Sequence, residues 1–181
     1  ELGMVLVLNK DYTFNSVIKS FKHTIKLEDG TTKTFNDRFG SITSTFIDKD
    51  GNLFICDLNG ATPDNSDISV KEDIHDDGSS GRVIKLNPNF EQQLVISGIK
   101  SEILPKDFSF QPKKIVVDNY GRIFVLSQGF TMGIMELDSD GGFVQCIGAP
   151  AVTYNPIELL WRAISTEAQR SSMEDFVPTE Y

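Results

Sequence analysis

Residues 46–56, Phe-Ile-Asp-Lys-Asp-Gly-Asn-Leu-Phe-Ile-Cys, superpose on residues 116–126, Val-Val-Asp-Asn-Tyr-Gly-Arg-Ile-Phe-Val-Leu, with Asp48 on Asp118 and Gly51 on Gly121. Each copy reads as a strand, an Asp-x-x-Gly turn and a second strand. The glycine supplies a positive φ and the carboxylate accepts backbone N–H bonds, so both recurring residues are explained by the turn itself. Asp138, Asp140 and Gly141 read the same way.

A second element recurs beside the first. Gly81-Arg-Val-Ile-Lys-Leu-Asn-Pro-Asn matches Met132-Gly-Ile-Met-Glu-Leu-Asp-Ser-Asp, and both match Gly3-Met-Val-Leu-Val-Leu-Asn-Lys-Asp. Each copy is an apolar strand running into an Asn/Asp-rich turn, followed by a further strand at 14–18, 92–96 or 143–147. Together the two elements make four-stranded units, which predicts an all-β fold of β-propeller-like antiparallel blades. The expected order is a half-blade at 1–20, a blade at 41–98 and a blade at 111–148.

Asp48 and Asp118 are 70 positions apart, more than the roughly 40 to 50 residues of a propeller repeat. The excess falls in the Asp-, Asn-, Ser- and Gly-rich stretch 59–80, read as a loop insertion, with further residues between Gly98 and Gln111. A second insertion, a hairpin at 23–35, is expected from alternation around Asp29-Gly30. After the last blade, Asn155 suits a helix cap, Pro156 the first helical position and Glu158 a capping box. Ile157, Leu160, Trp161, Ile164 and Ala168 then share one face, which predicts a helical segment over 155–176, broken near Ser165 and ended by Val177-Pro178.

Composition narrows the role. The chain has 181 residues, is 39% hydrophobic and carries a formal charge of -9. That suits one domain with one core, and it argues against nucleic acid or an anionic membrane surface, both of which call for clustered Lys and Arg. No apolar run is long enough to cross a membrane, so no direct membrane insertion is expected. Thirteen Phe against one Trp and four Tyr fit short half-buried strands. Because the chain opens inside an apparent strand, it is expected to be a segment of a longer protein.

Residues 111–125, Gln-Pro-Lys-Lys-Ile-Val-Val-Asp-Asn-Tyr-Gly-Arg-Ile-Phe-Val, with Gly133 to Gly141 after them, resemble the NHL-repeat β-propellers. The first blade keeps Asp48, Gly51 and the Leu53-Phe54-Ile55 strand but lacks the Pro112-Lys113 pair of the second. The resemblance covers about half the chain. It implies a ring of blades acting as a binding platform, of which this chain holds about two and a half. The helical segment is similar to the inserted helix of NHL-type proteins from bacterial envelope gene clusters, which implies an extracytoplasmic or cell-envelope setting.

Candidate chemistry is sparse. Asp64, Asp67, Glu72, Asp73, Asp76 and Asp77 could gather oxygen ligands for calcium, but they lack the alternating Asp-x-Asp-x-Asp-Gly order, and a solvated loop is the expectation. His23 and His75 are the only histidines. Neither lies near a Gly-x-Ser-x-Gly elbow, and no phosphate-cradling Gly-rich loop occurs. Cys56 and Cys146 have no Cys-x-x-Cys spacing and read as small apolar strand residues, with a disulfide between them left open. Trp161 and Arg162 are the candidate partner-binding pair, against the alternative that Trp161 packs its helix on the fold.

The expectation is therefore a non-enzymatic binding platform, with no cofactor, for a protein or carbohydrate partner held by loops on one face. Two alternatives stand beside it. One is a calcium-dependent hydrolase similar to the gluconolactonase propellers, none of whose ligands map onto a position here. The other is a structural spacer in an envelope assembly.

Overall fold

A computed structural model of the chain describes residues 3–27, 29–60, 62–63, 81–99, 101, 103–104 and 108–148. All of them lie in the unit Glu1–Ala149. The expected helical segment at 155–176, the acidic loop with His75, and the candidate pair Trp161 and Arg162 lie outside the described residues. Among the described residues there is no helix.

The strands are β1 (Val5–Leu8), β2 (Phe14–Ile18), β3 (Ser20–Lys26), β4 (Thr32–Arg38), β5 (Ile42–Ile47), β6 (Leu53–Asp57), β7 (Thr62–Pro63), β8 (Arg82–Leu86), β9 (Gln92–Ser97), β10 (Pro112–Val117), β11 (Ile123–Ser127), β12 (Ile134–Leu137) and β13 (Phe143–Ile147). They form four antiparallel sheets, ordered β1-β2, β3-β4-β7, β5-β6-β8-β9 and β10-β11-β12-β13. The fold is thus all-β with two four-stranded antiparallel sheets. The described residues contain no closed ring of sheets.

Hairpin chemistry repeats along the chain. At Asn9, Leu27, Asp48, Asn87, Asp118 and Asp138 the backbone N–H donates to the carbonyl four residues on, and the carbonyl accepts from the N–H three residues on. The fourth residue is left-handed in every case: Tyr12, Gly30, Gly51, Phe90, Gly121 and Gly141, with φ between 63° and 87°. This is a type I turn closed by a bulge, which matches the right-handed twist of the flanking strands. Oδ1 of Asp48 accepts from the N–H groups of Asp50 and Asn52 at 2.9 and 2.8 Å. Oδ1 of Asp118 and of Asp138 accepts from the corresponding pairs, Tyr120 with Arg122 and Asp140 with Gly142. The recurring aspartates therefore hold turns.

The one core expected from chain length is divided in two. On β6 every residue is buried, because both faces of the β5-β6-β8-β9 sheet are covered. Leu53, Ile55, Ile84 and Leu86 pack with Ile18, Val5 and Val7 of the β1-β2 sheet. Phe54, Cys56, Val83 and Ile96 pack with Ile115, Val117, Ile123, Val125, Met135 and Leu137 of the β10-β13 sheet. Three sheets thus stack face to face, and the Thr43 hydroxyl ties the last two by donating to the Pro112 carbonyl at 2.7 Å. Strands β3 and β4 form a hairpin from Ser20 to Arg38, longer than the expected 23–35 stretch. The extension includes Phe21 and Asp37, which are buried. Neither cysteine is in a disulfide: Cys56 is buried in β6 and Cys146 partly buried in β13.

Candidate functional site

Two features stand out against this frame. The first is a cluster of charge in the interior, where Asp57 ends β6 and pairs in register with Arg82 at the start of β8. Both side chains emerge on the face that carries Ile55 and Ile84, toward the β3-β4 hairpin. Arg82 Nη1 and Nη2 donate to the two carboxylate oxygens of Asp37 at 2.5 and 3.3 Å. Its Nε and Nη2 donate to Oδ2 of Asp57 at 3.2 and 3.1 Å, and Nη2 also reaches the Arg38 carbonyl at 2.9 Å. His23 Nδ1 lies 2.7 Å from Asp37 Oδ2. Asp57 accepts further from the N–H groups of Gly40 and Asn59. Only glycine fits at position 40, since a Cβ there would lie 2.4 Å from Cβ of Asn59.

Arg82 is 1% exposed and both aspartates are fully buried. Burying such charges is costly unless every donor and acceptor is met. Here, among the described residues, no buried side-chain nitrogen or oxygen lacks a partner. Phe21 lies under the guanidinium at 5.6 Å, stacks on Phe39 and sits beside the His23 ring. A His–Asp pair invites a catalytic reading, but among the described residues His23 hydrogen-bonds Asp37 and sets its ring beside Phe21 and Phe35, with no nucleophile bonded to it. What the cluster does is bolt the β3-β4 hairpin onto the middle sheet.

The second feature is the outer face of the β10-β13 sheet. Register sets Ile123 and Val125 opposite Leu137 and Met135, as Leu53 and Ile55 stand opposite Leu86 and Ile84. Counting along the strands, Phe46, Cys56, Val83 and Ile96 of the middle sheet correspond to Val116, Leu126, Ile134 and Ile147. In the middle sheet those positions are packed against a neighbouring sheet. In the β10-β13 sheet all four are exposed, Val116 at 54%. A strand alternates its side chains between two faces, so this sheet is apolar on both, the pattern of a sheet covered on both sides.

One end of that face is polar and preorganised. Arg122 Nε donates to Asp118 Oδ2 at 2.7 Å and its Nη1 to Glu136 Oε1 at 3.1 Å, while Gln145 Nε2 donates to Glu136 Oε2 at 2.6 Å. The guanidinium lies 5.5 Å from the Phe124 ring and 5.9 Å from the exposed Tyr120 ring. Burial opposes ionisation of Asp118, but the hydrogen bonds from Arg122 and Tyr120 outweigh it and hold the carboxyl below its ordinary value. The Asp118 hydrogen bond, with the charge of Asp118 behind it, raises the Arg122 guanidinium further.

Sequence reasoning missed Asp37, Arg82 and the apolar outer face as a unit. Among the described residues no group of three or more His, Cys, Asp or Glu could hold a metal ion. Comparison with known proteins finds no family model that matches the chain and no curated protein that matches it.

Proposed function

We propose that the chain is a non-enzymatic binding scaffold, a propeller-type segment resembling the NHL repeats, which docks a protein partner on the outer face of the β10-β13 sheet. The observation that carries this reading is the exposure of Val116, Leu126, Ile134 and Ile147 at positions whose counterparts in the middle sheet are packed. These side chains are 40–54% exposed, so covering each one stabilises a complex by roughly half of the about 1.5–3 kcal/mol that full burial supplies. Contiguous exposed apolar surface of this kind marks an interaction site. An aliphatic face with Arg122 and aromatic rings at its rim has the anatomy of a protein interface, apolar at its centre and polar at its edge, and offers few of the hydroxyl and amide groups that would orient a sugar. Repetition of the same inside-outside pattern from one sheet to the next supports the propeller-type assignment.

The test is affinity capture from the native source with the wild-type chain and with Leu126→Asp/Ile134→Asp as baits. Both positions are exposed, so the double variant keeps its fold, checked by its melting midpoint. A partner retained by the wild type and lost by the variant supports the reading. Equal retention by both baits counts against it.

A further inference from the structure

The hydroxyl and amide groups that are scarce on the outer face of β10-β13 are gathered on the β3-β4 hairpin. One face of the hairpin carries Phe21, His23, Phe35 and Asp37, all buried. The other carries Lys22, Thr24 and Lys26 on β3, opposite Asn36, Thr34 and Thr32 on β4. The next pair, Ser20 and Arg38, continues it, so the two strands present no carboxylate and no apolar side chain on this side, in a chain of formal charge -9. Lys22, Thr24, Lys26, Thr32 and Thr34 are exposed. Among the described residues neither the Lys22 nor the Lys26 ammonium group has an ion-pair or hydrogen-bond partner.

The face is held in shape from two sides. Behind it Asp37 is anchored by Arg82. At its edge the Gln92 side chain takes the place of a strand: Oε1 accepts from the Thr24 N–H at 2.7 Å and Nε2 donates to the Thr24 carbonyl at 3.4 Å. Lysines on an edge strand guard against stray pairing, but Gln92 already closes the middle of this edge, and guarding it does not call for the threonines beside them. The Thr24 and Thr34 hydroxyls are 2.8 Å apart. One proton is used between them, so the other hydroxyl still donates outward and both oxygens keep acceptor capacity.

We infer that this face binds an anionic polysaccharide whose carboxylates recur at wide intervals along the polymer. Lys22 and Lys26 take carboxylates, and Thr24, Thr32 and Thr34 exchange hydrogen bonds with the sugar hydroxyls between them. Four residues along a strand set the two lysines roughly 13 Å apart, whereas a nucleic acid carries a phosphate about every 3.4 Å of each strand. The cations therefore match a sparsely charged polymer. A protein interface is built around an apolar centre, which this face does not supply, and a flat ribbon suits an extended chain of sugars better than a small molecule, which binds in a concave site.

The test is fluorescence anisotropy with labelled oligosaccharides of hyaluronan and of polygalacturonate. Saturable binding to at least one is expected, weakened about tenfold by Lys22→Gln/Lys26→Gln and weakened also by Thr34→Val, with melting midpoints unchanged. Lys10→Gln/Lys49→Gln removes the same charge from two other exposed positions and should leave binding as it is, and neutral dextran should not compete. The inference is overturned by absence of saturable binding to both polymers or by equal weakening in the two double variants. It is overturned as well if poly-glutamate competes as strongly as the unlabelled polysaccharide, which would make the face a site for acidic peptides.

Discussion

Arg82 on β8 and Asp37 on β4 are 45 residues apart in sequence and joined by two hydrogen bonds, at 2.5 and 3.3 Å. Through this pair the β3-β4 hairpin is fixed to the middle sheet, and Asp57 holds the same guanidinium from the other side. Substituting Arg82→Met leaves two carboxylates buried without their cation. Breaking a buried pair in this way costs about 3–5 kcal/mol, and each kcal/mol lowers the melting midpoint of a chain this size by roughly 2–4 °C. Calorimetry of the variant checks it, and an unchanged midpoint would show that the cluster does not hold the hairpin.

The turn residues make a prediction of opposite signs. Gly121→Ala has room for its methyl, with Ser139 Cβ at 3.7 Å, but puts an L-residue at φ +83°, at a cost of about 1–2 kcal/mol. Tyr12 already sits at φ 64° and is highly exposed. Replacing it by glycine removes that strain and should leave stability unchanged or raised by up to about 1 kcal/mol. Paired denaturant titrations decide this, and a loss in Tyr12→Gly comparable to that in Gly121→Ala would contradict it.

The two cysteines should differ in reactivity. Burial first, and the Asp57 charge second, push the Cys56 thiol up to about 12, while burial raises Cys146 less far from its ordinary value. The thiolate is the reactive form. A thiol-disulfide exchange reagent at mildly alkaline pH should therefore modify Cys146 in the native chain and reach Cys56 only after unfolding. Equal rates at both would mean that the packing of Cys56 against the last sheet opens readily.

Acid should weaken the turns together. Burial of Asp48 opposes its ionisation, but the hydrogen bonds from Asn52 and Asp50 prevail and lower its pKa below 3.8. For Asp11 and Asp29, hydrogen bonds from Thr13 and Thr31 lead in the same direction. A carboxyl whose pKa is lower folded than unfolded stabilises the fold fully above the unfolded value, and this contribution is lost as pH falls through the folded value. The melting midpoint should hold steady down to about pH 5 and decline below about pH 4, with a shallower decline in Asp48→Asn. A midpoint that rises on acidification would contradict the turn assignment.

How much was legible follows from how local the chemistry is. Asp48, Gly51, Asp118 and Gly121 could be read because the side chain, its acceptor role and the positive φ all fall within five residues. Asn9 and Asn87 extend the same turn to sites where Tyr12 and Phe90 replace glycine, so the repeat was visible from the flanking strands more than from the turn. Asp37, Asp57 and Arg82 were not legible as a cluster. Each alone reads as a solvated charge, and only the return of β8 beside β6 and of β4 onto both brings them together. The β3-β4 hairpin looked shorter than it is because Asn36-Asp37-Arg38 carries no apolar signal. The outer face of β10-β13 was present in the alternation of Val116, Phe124 and Leu126, yet alternation cannot tell a covered face from a bare one.

Leu126 occupies on the last sheet the place that Cys56 occupies in the middle of the stack, and the proposed protein partner would cover it. The measurement is the thiol-labelling rate of Leu126→Cys in a Cys146→Ser background, alone and in complex with the protein captured by the wild-type chain. The account predicts fast labelling in the free chain, strong protection in the complex, and loss of capture once a bulky maleimide is attached. Labelling that is slow in the free chain, or unchanged by the partner, would contradict it.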